Sequence, residues 1–148
     1  MILNRQRSVR LPAKELNKFL SRAQRALRLP SESVGVCLVT NSEMARWNRA
    51  YRGKTGPTDV LSFRARAADE RGERFFRPNG SSANYLGDIA IAPALARRNA
   101  VRFGRTFSEE MRILILHGML HLMGYDHETD NGQMDRRERQ LRRDLGLG

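Results

Sequence analysis

Residues 109–127 read EEMRILILHGMLHLMGYDH, and this stretch holds all three histidines of the 148-residue chain. Residues 109–123 are apolar nearly all round a helix, which predicts a buried, central helix. His117 and His121 are four residues apart, so this helix carries both imidazoles on one face. Gly124 predicts the end of the helix, because glycine readily adopts the left-handed conformation that turns the chain. The turn can then bring His127 towards the other two histidines.

The histidine spacing predicts a metal site. A lone His-x-x-x-His pair is usually structural, but two imidazoles on a buried helix need polar partners, since an unsatisfied polar group costs about 1–3 kcal/mol there. A shared cation satisfies both rings. Three neutral imidazoles suit zinc and leave a fourth position for water or substrate. We therefore predict one Zn²⁺ per chain, held by His117, His121 and His127.

Gly118 separates this stretch from the metalloproteases that share its spacing. In metzincins a glutamate follows the first histidine and acts as general base, whereas this chain has glycine there. A glycine inside a helix costs roughly 1 kcal/mol relative to alanine, which predicts that another group approaches the backbone at this point. A metalloprotease stays an alternative if another carboxylate supplies the base. A non-catalytic ribosome-assembly factor with structural zinc is a second alternative.

The composition indicates a nucleic-acid partner. Lysine and arginine number 27 against 16 acidic residues, which gives a net charge of +11 and attracts phosphate backbones. No stretch approaches the roughly 18 apolar residues of a membrane span, and the first residues lack the apolar core of a signal peptide. We expect a cytoplasmic protein without membrane contact. Cys37 lies in an apolar run that predicts a buried strand, and we expect no chemical role for it.

Periodicity and turn signals predict alternating strands and helices in a single domain over residues 1–148. This order favours an α/β or α+β fold with a small mixed sheet. A long exposed loop with a short hairpin at Phe75-Phe76 is expected over 64–84, and the arginine-rich last helix should present a solvated face, with RNA contact as the alternative. Strands are predicted at 2–9, 34–39, 58–63 and 85–92, and helices at 12–29, 42–51, 93–101, 109–123 and 128–145.

Three motifs in the same order closely resemble the YbeY family of bacterial endoribonucleases, also called rRNA maturation factors. They are YRGKTGPTDVLSF at 51–63, LGDI at 86–89 and the histidine run at 117–127, within a likeness that extends from about Val34 to the end of the chain. The segment between the first two motifs is longer and more basic than the family pattern. The last helix is arginine-rich where relatives are often acidic. Both departures bear on how substrate and ribosome are contacted.

The resemblance implies an α+β fold with a four-stranded mixed sheet, about five helices and a metal site on a central buried helix. It also implies zinc-dependent hydrolysis of single-stranded RNA, acting in maturation of the three-prime end of small-subunit rRNA and in ribosome quality control. The implied partners are ribosomal RNA, the ribosome or its small subunit, and assembly factors. The three histidines match the family's metal ligands, and Arg52 matches an arginine that is functionally important near the metal.

Chemistry is compatible with the role that the resemblance gives to Arg52, although the residue taken alone would be assigned to the surface, and it suggests some further candidates. The Arg52 guanidinium can hold a phosphate through two parallel hydrogen bonds and offset the charge that builds during phosphoryl transfer. Asp126, a candidate catalytic residue beside His127, either orients an imidazole or caps the turn. Asp59 and Ser62 are weaker candidates on a strand that lines the cleft, and Asp88 is expected to support a turn or a strand edge.

Overall fold

The structure is a computed structural model that describes residues 1–65 and 85–147. In these ranges four strands form one mixed sheet, and five helices accompany it, which confirms the predicted α+β fold. The strands are β1 (Ile2–Asn4), β2 (Val34–Leu38), β3 (Val60–Arg64) and β4 (Gly87–Ile91). The helices are α1 (Ala13–Ala26), α2 (Asn41–Arg52), α3 (Pro93–Phe103), α4 (Phe107–Leu122) and α5 (Gln133–Asp144).

The strand order β1-β2-β4-β3 puts β4 inside the sheet. Strand β4 pairs in parallel with β2 and antiparallel with β3, so that Ile89 lies opposite Val36 on one side and Ser62 on the other. Every residue of β2 and β4 is buried, as expected of strands that are covered on both faces. The continuous apolar runs that predicted these strands reflect that double burial.

Successive β4 side chains enter two separate apolar clusters. Ile89 and Ile91 pack in the larger cluster with the buried face of α4, while Ala90 packs in the smaller one with Trp47 of α2. Because side chains alternate across a strand, β4 fastens α4 to one face of the sheet and α2 to the other. Cys37 lies in the smaller cluster, where burial raises the pKa of its thiol to about 12, in keeping with its expected inertness.

Helix α4 has a defined start and end. The Thr106 side chain accepts a hydrogen bond from the Glu109 amide at 3.1 Å, and the Glu109 carboxylate accepts one from the Thr106 amide at 3.0 Å. This capping box begins the helix at Phe107, two residues before the predicted start. The helix ends at Leu122, and Gly124 has a φ of 102°, as its predicted role in the turn requires.

The two largest departures from the predicted element bounds each occur where a side chain binds the nearby backbone. Strand β1 ends at Asn4 instead of residue 9, since the Gln6 side chain hydrogen-bonds both the amide and the carbonyl of Val9. Helix α5 begins at Gln133 instead of residue 128, since Asp130 accepts hydrogen bonds from the amides of Gly132 and Met134.

Most of the predicted 64–84 loop, including its hairpin at Phe75-Phe76, lies outside the described residues. At its start, residue 64 instead closes β3. Among the described helices, none has the length and apolar character needed to cross a membrane.

Candidate metal centre

The three histidines meet at one end of α4. The Nε2 atoms of His117 and His121 lie 3.1 Å apart, and one ligand atom from each of His117, His121 and His127 lies within 4.8 Å of the others. Zinc–nitrogen bonds of about 2.0–2.1 Å in a tetrahedral site separate two ligand nitrogens by roughly 3.3 Å. The pair on the helix fits this spacing. His127 lies on an exposed turn, slightly further from the other two rings than they are from each other. A movement of its side chain can bring its ligand nitrogen to the same point.

The outer nitrogens of the two helical histidines have fixed partners. His117 Nδ1 lies 3.1 Å from a carboxylate oxygen of Glu138, and His121 Nδ1 lies 3.0 Å from the backbone oxygen of Tyr125. Both partners are acceptors, so each Nδ1 carries the proton and each Nε2 directs a lone pair towards the shared point. This tautomer is the one that a metal ligand requires.

Burial and the neighbouring His117 lower the pKa of His121 below its ordinary value of 6.5. A hydrogen bond to the Tyr125 carbonyl opposes this shift without cancelling it. The His121 ring is therefore neutral at pH 7. Since only the neutral imidazole binds a metal, no proton has to leave this ring before an ion can bind.

A cleft with a volume of about 590 Å³ opens beside the histidines. Strand β3 and the segment before it form one wall, and the turn after α4 forms the other. Three cationic side chains line the cleft, on α2, just after it and on β3: Arg52, Lys54 and Arg64. Arg64 donates a hydrogen bond to the His121 carbonyl at 3.3 Å. The exposed Arg52 guanidinium makes no ion pair within residues 1–65 and 85–147, so it is available to an anionic ligand.

Asp126 lines the same cleft and holds the turn that carries His127. Its side chain accepts a hydrogen bond from the Glu128 amide at 3.0 Å, and its backbone oxygen accepts from the amides of Thr129 and Asp130. Of its two predicted roles, the geometry supports the turn cap. The cleft is also lined by Glu128, which the sequence reasoning did not single out.

The weaker candidates have structural partners. Asp59 accepts a hydrogen bond from Asn99 at 3.0 Å, and Ser62 donates one to the Gly118 carbonyl at 3.2 Å, although both line the cleft. Asp88, which was expected to support a turn or a strand edge, is 1% exposed on the interior strand β4. The Tyr85 hydroxyl donates a hydrogen bond to its carboxylate.

The expectation that another group approaches Gly118 is confirmed. A Cβ atom at this position would lie 2.7 Å from Ile89 Cγ2, with two further Ile89 atoms at 2.9 Å. The glycine therefore lets α4 pack directly on strand β4. A glutamate at this position, as in metzincins, would collide with the sheet.

Sequence reasoning missed Glu138, which it assigned to a solvated helix face. This residue lies 21 positions after His117, on a separate helix. No local pattern signals such a contact, because it depends on how α5 packs against α4.

Comparison with known proteins gives one consistent result. The family model described as endoribonuclease YbeY matches residues 1–146. An endoribonuclease YbeY of Roseiflexus is 44% identical over 117 residues, covering 77% of this chain and 71% of the relative. One of Koribacter versatilis is 37% identical over 147 residues, covering 99% and 86%. A Thermotoga maritima protein, solved in solution, superposes with a TM-score of 0.59 at 26% identity and covers 98% of this chain and 89% of its own.

Proposed function

Because the chain belongs to the endoribonuclease YbeY family, we propose that it is a zinc-dependent endoribonuclease specific for single-stranded RNA. Family membership supports an RNA-cleaving enzyme of rRNA processing. The finer proposal is maturation of the three-prime end of small-subunit rRNA, together with ribosome quality control. We further propose that the protein acts in the cytoplasm, where it contacts the small ribosomal subunit and its assembly factors, and that residues 1–148 form a single functional domain.

The observation that carries this proposal is the convergence of three imidazoles beside a cleft that Arg52, Lys54 and Arg64 also line. The 3.1 Å separation of the His117 and His121 Nε2 atoms and the acceptors on their outer nitrogens fit zinc. Bound zinc would supply a Lewis acid for a phosphoryl oxygen and a water of lowered pKa. The choice of zinc over other divalent ions rests on the all-nitrogen donor set.

The chain's own residues bind and orient the RNA. Arg52 and Lys54 offer positive charge in the cleft that the histidines also line, where they can hold phosphates of a single strand. We assign to Arg52 the stabilisation of charge that builds on the scissile phosphate. Asp126 fixes the turn that presents His127. A metalloprotease would need its general base from another carboxylate, because Gly118 packs against Ile89 and leaves no room for a glutamate at that position.

The test combines elemental analysis with RNA cleavage, with and without a chelator. We expect about one zinc per wild-type chain and loss of both zinc and cleavage in His121→Ala. Arg52→Glu should keep its zinc and cleave roughly 100-fold more slowly, as expected when a charge-stabilising group is lost. Arg49→Glu is the matched control, because Arg49 lies on the same helix, is exposed and does not line the cleft.

Cleavage that is insensitive to the chelator would contradict zinc dependence. Equal cleavage by the wild-type, Arg52→Glu and Arg49→Glu chains would remove Arg52 from the mechanism. Zinc bound in a fourfold protein site without RNA cleavage would favour the structural-zinc alternative.

A further inference from the structure

We propose that Glu138 is a positioning residue of the metal centre, which orients His117 from the C-terminal helix and is itself held by Arg142. The inference rests on the proposed function, because it assigns the carboxylate a part in holding the zinc. It gives α5 a role beyond a solvated charged face.

Each carboxylate oxygen of Glu138 has its own partner. Oε1 lies 3.1 Å from His117 Nδ1, and Oε2 lies 3.8 Å from Arg142 Nη1, one helical turn further along α5. The Glu138 side chain is only 14% exposed. Met134 and Leu141, on the buried side of the same helix, anchor α5 in the main core. The carboxylate is therefore held at a fixed position relative to the histidine.

Three of the four other basic residues of α5 have different partners. Arg139 pairs with Asp135 at 2.9 Å, and Arg137 donates to Gln140 at 3.1 Å. Arg136 donates to the Asn131 carbonyl at 3.2 Å. Among the described residues of this helix, Arg142 is the cation whose charge is directed at Glu138. The Arg142 guanidinium thus contacts the Glu138 carboxylate, which in turn contacts the His117 imidazole.

A carboxylate acts on a ligand histidine in two ways. By accepting the Nδ1 proton it fixes the ring orientation and the tautomer, and its negative charge makes Nε2 a stronger donor to a cation. His121 receives only the first effect, because its partner is the neutral carbonyl of Tyr125. His117 should thus be the ligand whose strength depends on a removable side chain.

An ordinary ion pair at the protein surface would behave differently. Such pairs contribute about 0–1 kcal/mol to stability and have no connection to metal affinity. Zinc affinity therefore separates the two interpretations, and the thermal stability of the metal-free chain serves as the check on folding.

The experiment compares Glu138→Met, Glu138→Gln and the control Asp135→Asn. Methionine keeps most of the volume but removes the acceptor, while glutamine keeps an acceptor oxygen and removes the charge. Asp135→Asn deletes an acid on the same helix, where it is 63% exposed and pairs with Arg139. Zinc affinity is measured on the full chain by competition with a chromogenic chelator.

We expect zinc to bind about 10–100-fold more weakly to Glu138→Met, as for other lost acceptors behind a ligand histidine. Glu138→Gln should be intermediate, and Asp135→Asn should stay within about twofold of wild type. Wild-type affinity in both Glu138 variants would overturn the proposal. If Glu138→Met does not fold, the Glu138→Gln variant decides.

A second measurement reads the tautomer directly. In ¹⁵N NMR spectra of the metal-free chain at about pH 8, the His117 proton should lie on Nδ1 in the wild type and be distributed over Nδ1 and Nε2 in Glu138→Met. His121 should not change, because its acceptor is a backbone carbonyl. An unchanged His117 tautomer would overturn the inference. A wild-type chain that binds no zinc would overturn the proposed function, and this spectrum would still decide the role of Glu138.

Discussion

At position 118, the missing side chain determines how closely α4 can approach the sheet. Gly118→Ala places a Cβ within 2.7–2.9 Å of three atoms of Ile89, a fully buried side chain of an interior strand. Alanine favours a helix by roughly 1 kcal/mol, but overpacking a core costs about 1–3 kcal/mol. We expect a net loss of about 1 kcal/mol, measured as the free energy of unfolding in urea.

The Ile89→Ala background isolates the cause. With the isoleucine shortened, Gly118→Ala should cost nothing or become stabilising, because only helix propensity remains. An equal loss in both backgrounds would mean that Ile89 is not the obstacle.

In the metal site, the three ligands can be predicted from the sequence, whereas the partner of His117 cannot. His117, His121 and His127 follow each other within eleven positions, so helix geometry and one glycine suffice to predict that they meet. The partner of His117 lies on another helix, and it is brought there by the burial of Met134 and Leu141. Contacts of this kind depend on packing, which a single sequence does not reveal.

At the scale of elements, α4 begins with a capping box that responds to pH. Hydrogen bonds from the Thr106 backbone amide and side chain lower the pKa of Glu109 below its ordinary value of 4.5. A carboxylate whose pKa is lowered by folding stabilises the folded state at pH values above its ordinary pKa. This contribution is lost as the pH falls through the lower, folded-state pKa. Wild type should therefore be more stable than Glu109→Gln at pH 7, and the difference should vanish in acid.

Urea unfolding at several pH values measures this difference. A stability difference between wild type and Glu109→Gln that stays constant from neutral to strongly acidic pH would contradict an ionised cap.

The helices and strands themselves were largely predictable from the sequence, because periodicity and caps are local. The ends of β1 and the start of α5 were not, since Gln6 and Asp130 divert backbone groups into local hydrogen bonds.

For the whole molecule, the net charge of +11 sets how RNA binding should respond to salt. Each phosphate contact on a single strand releases counterions, so the logarithm of affinity falls linearly with the logarithm of salt concentration, by about 0.7 per contact. The charge excess was evident from the sequence, and the family resemblance placed Arg52 near the metal. The position of Lys54 in the same cleft was not predicted, because it depends on the fold.

We expect a steep salt dependence for a single-stranded RNA oligonucleotide, measured by fluorescence anisotropy with chelator present to prevent cleavage. If Arg52 contacts one phosphate in the cleft, Arg52→Gln should reduce the slope by about 0.7. Arg49→Gln removes the same charge from the same helix outside the cleft, so it should leave the slope nearly unchanged. A flat response would contradict electrostatic RNA binding. Equal reductions of the slope in both variants would show that the cleft has no special part in binding the RNA. In that case the electrostatic potential of the whole protein would attract the strand, and the two arginines would contribute to it equally.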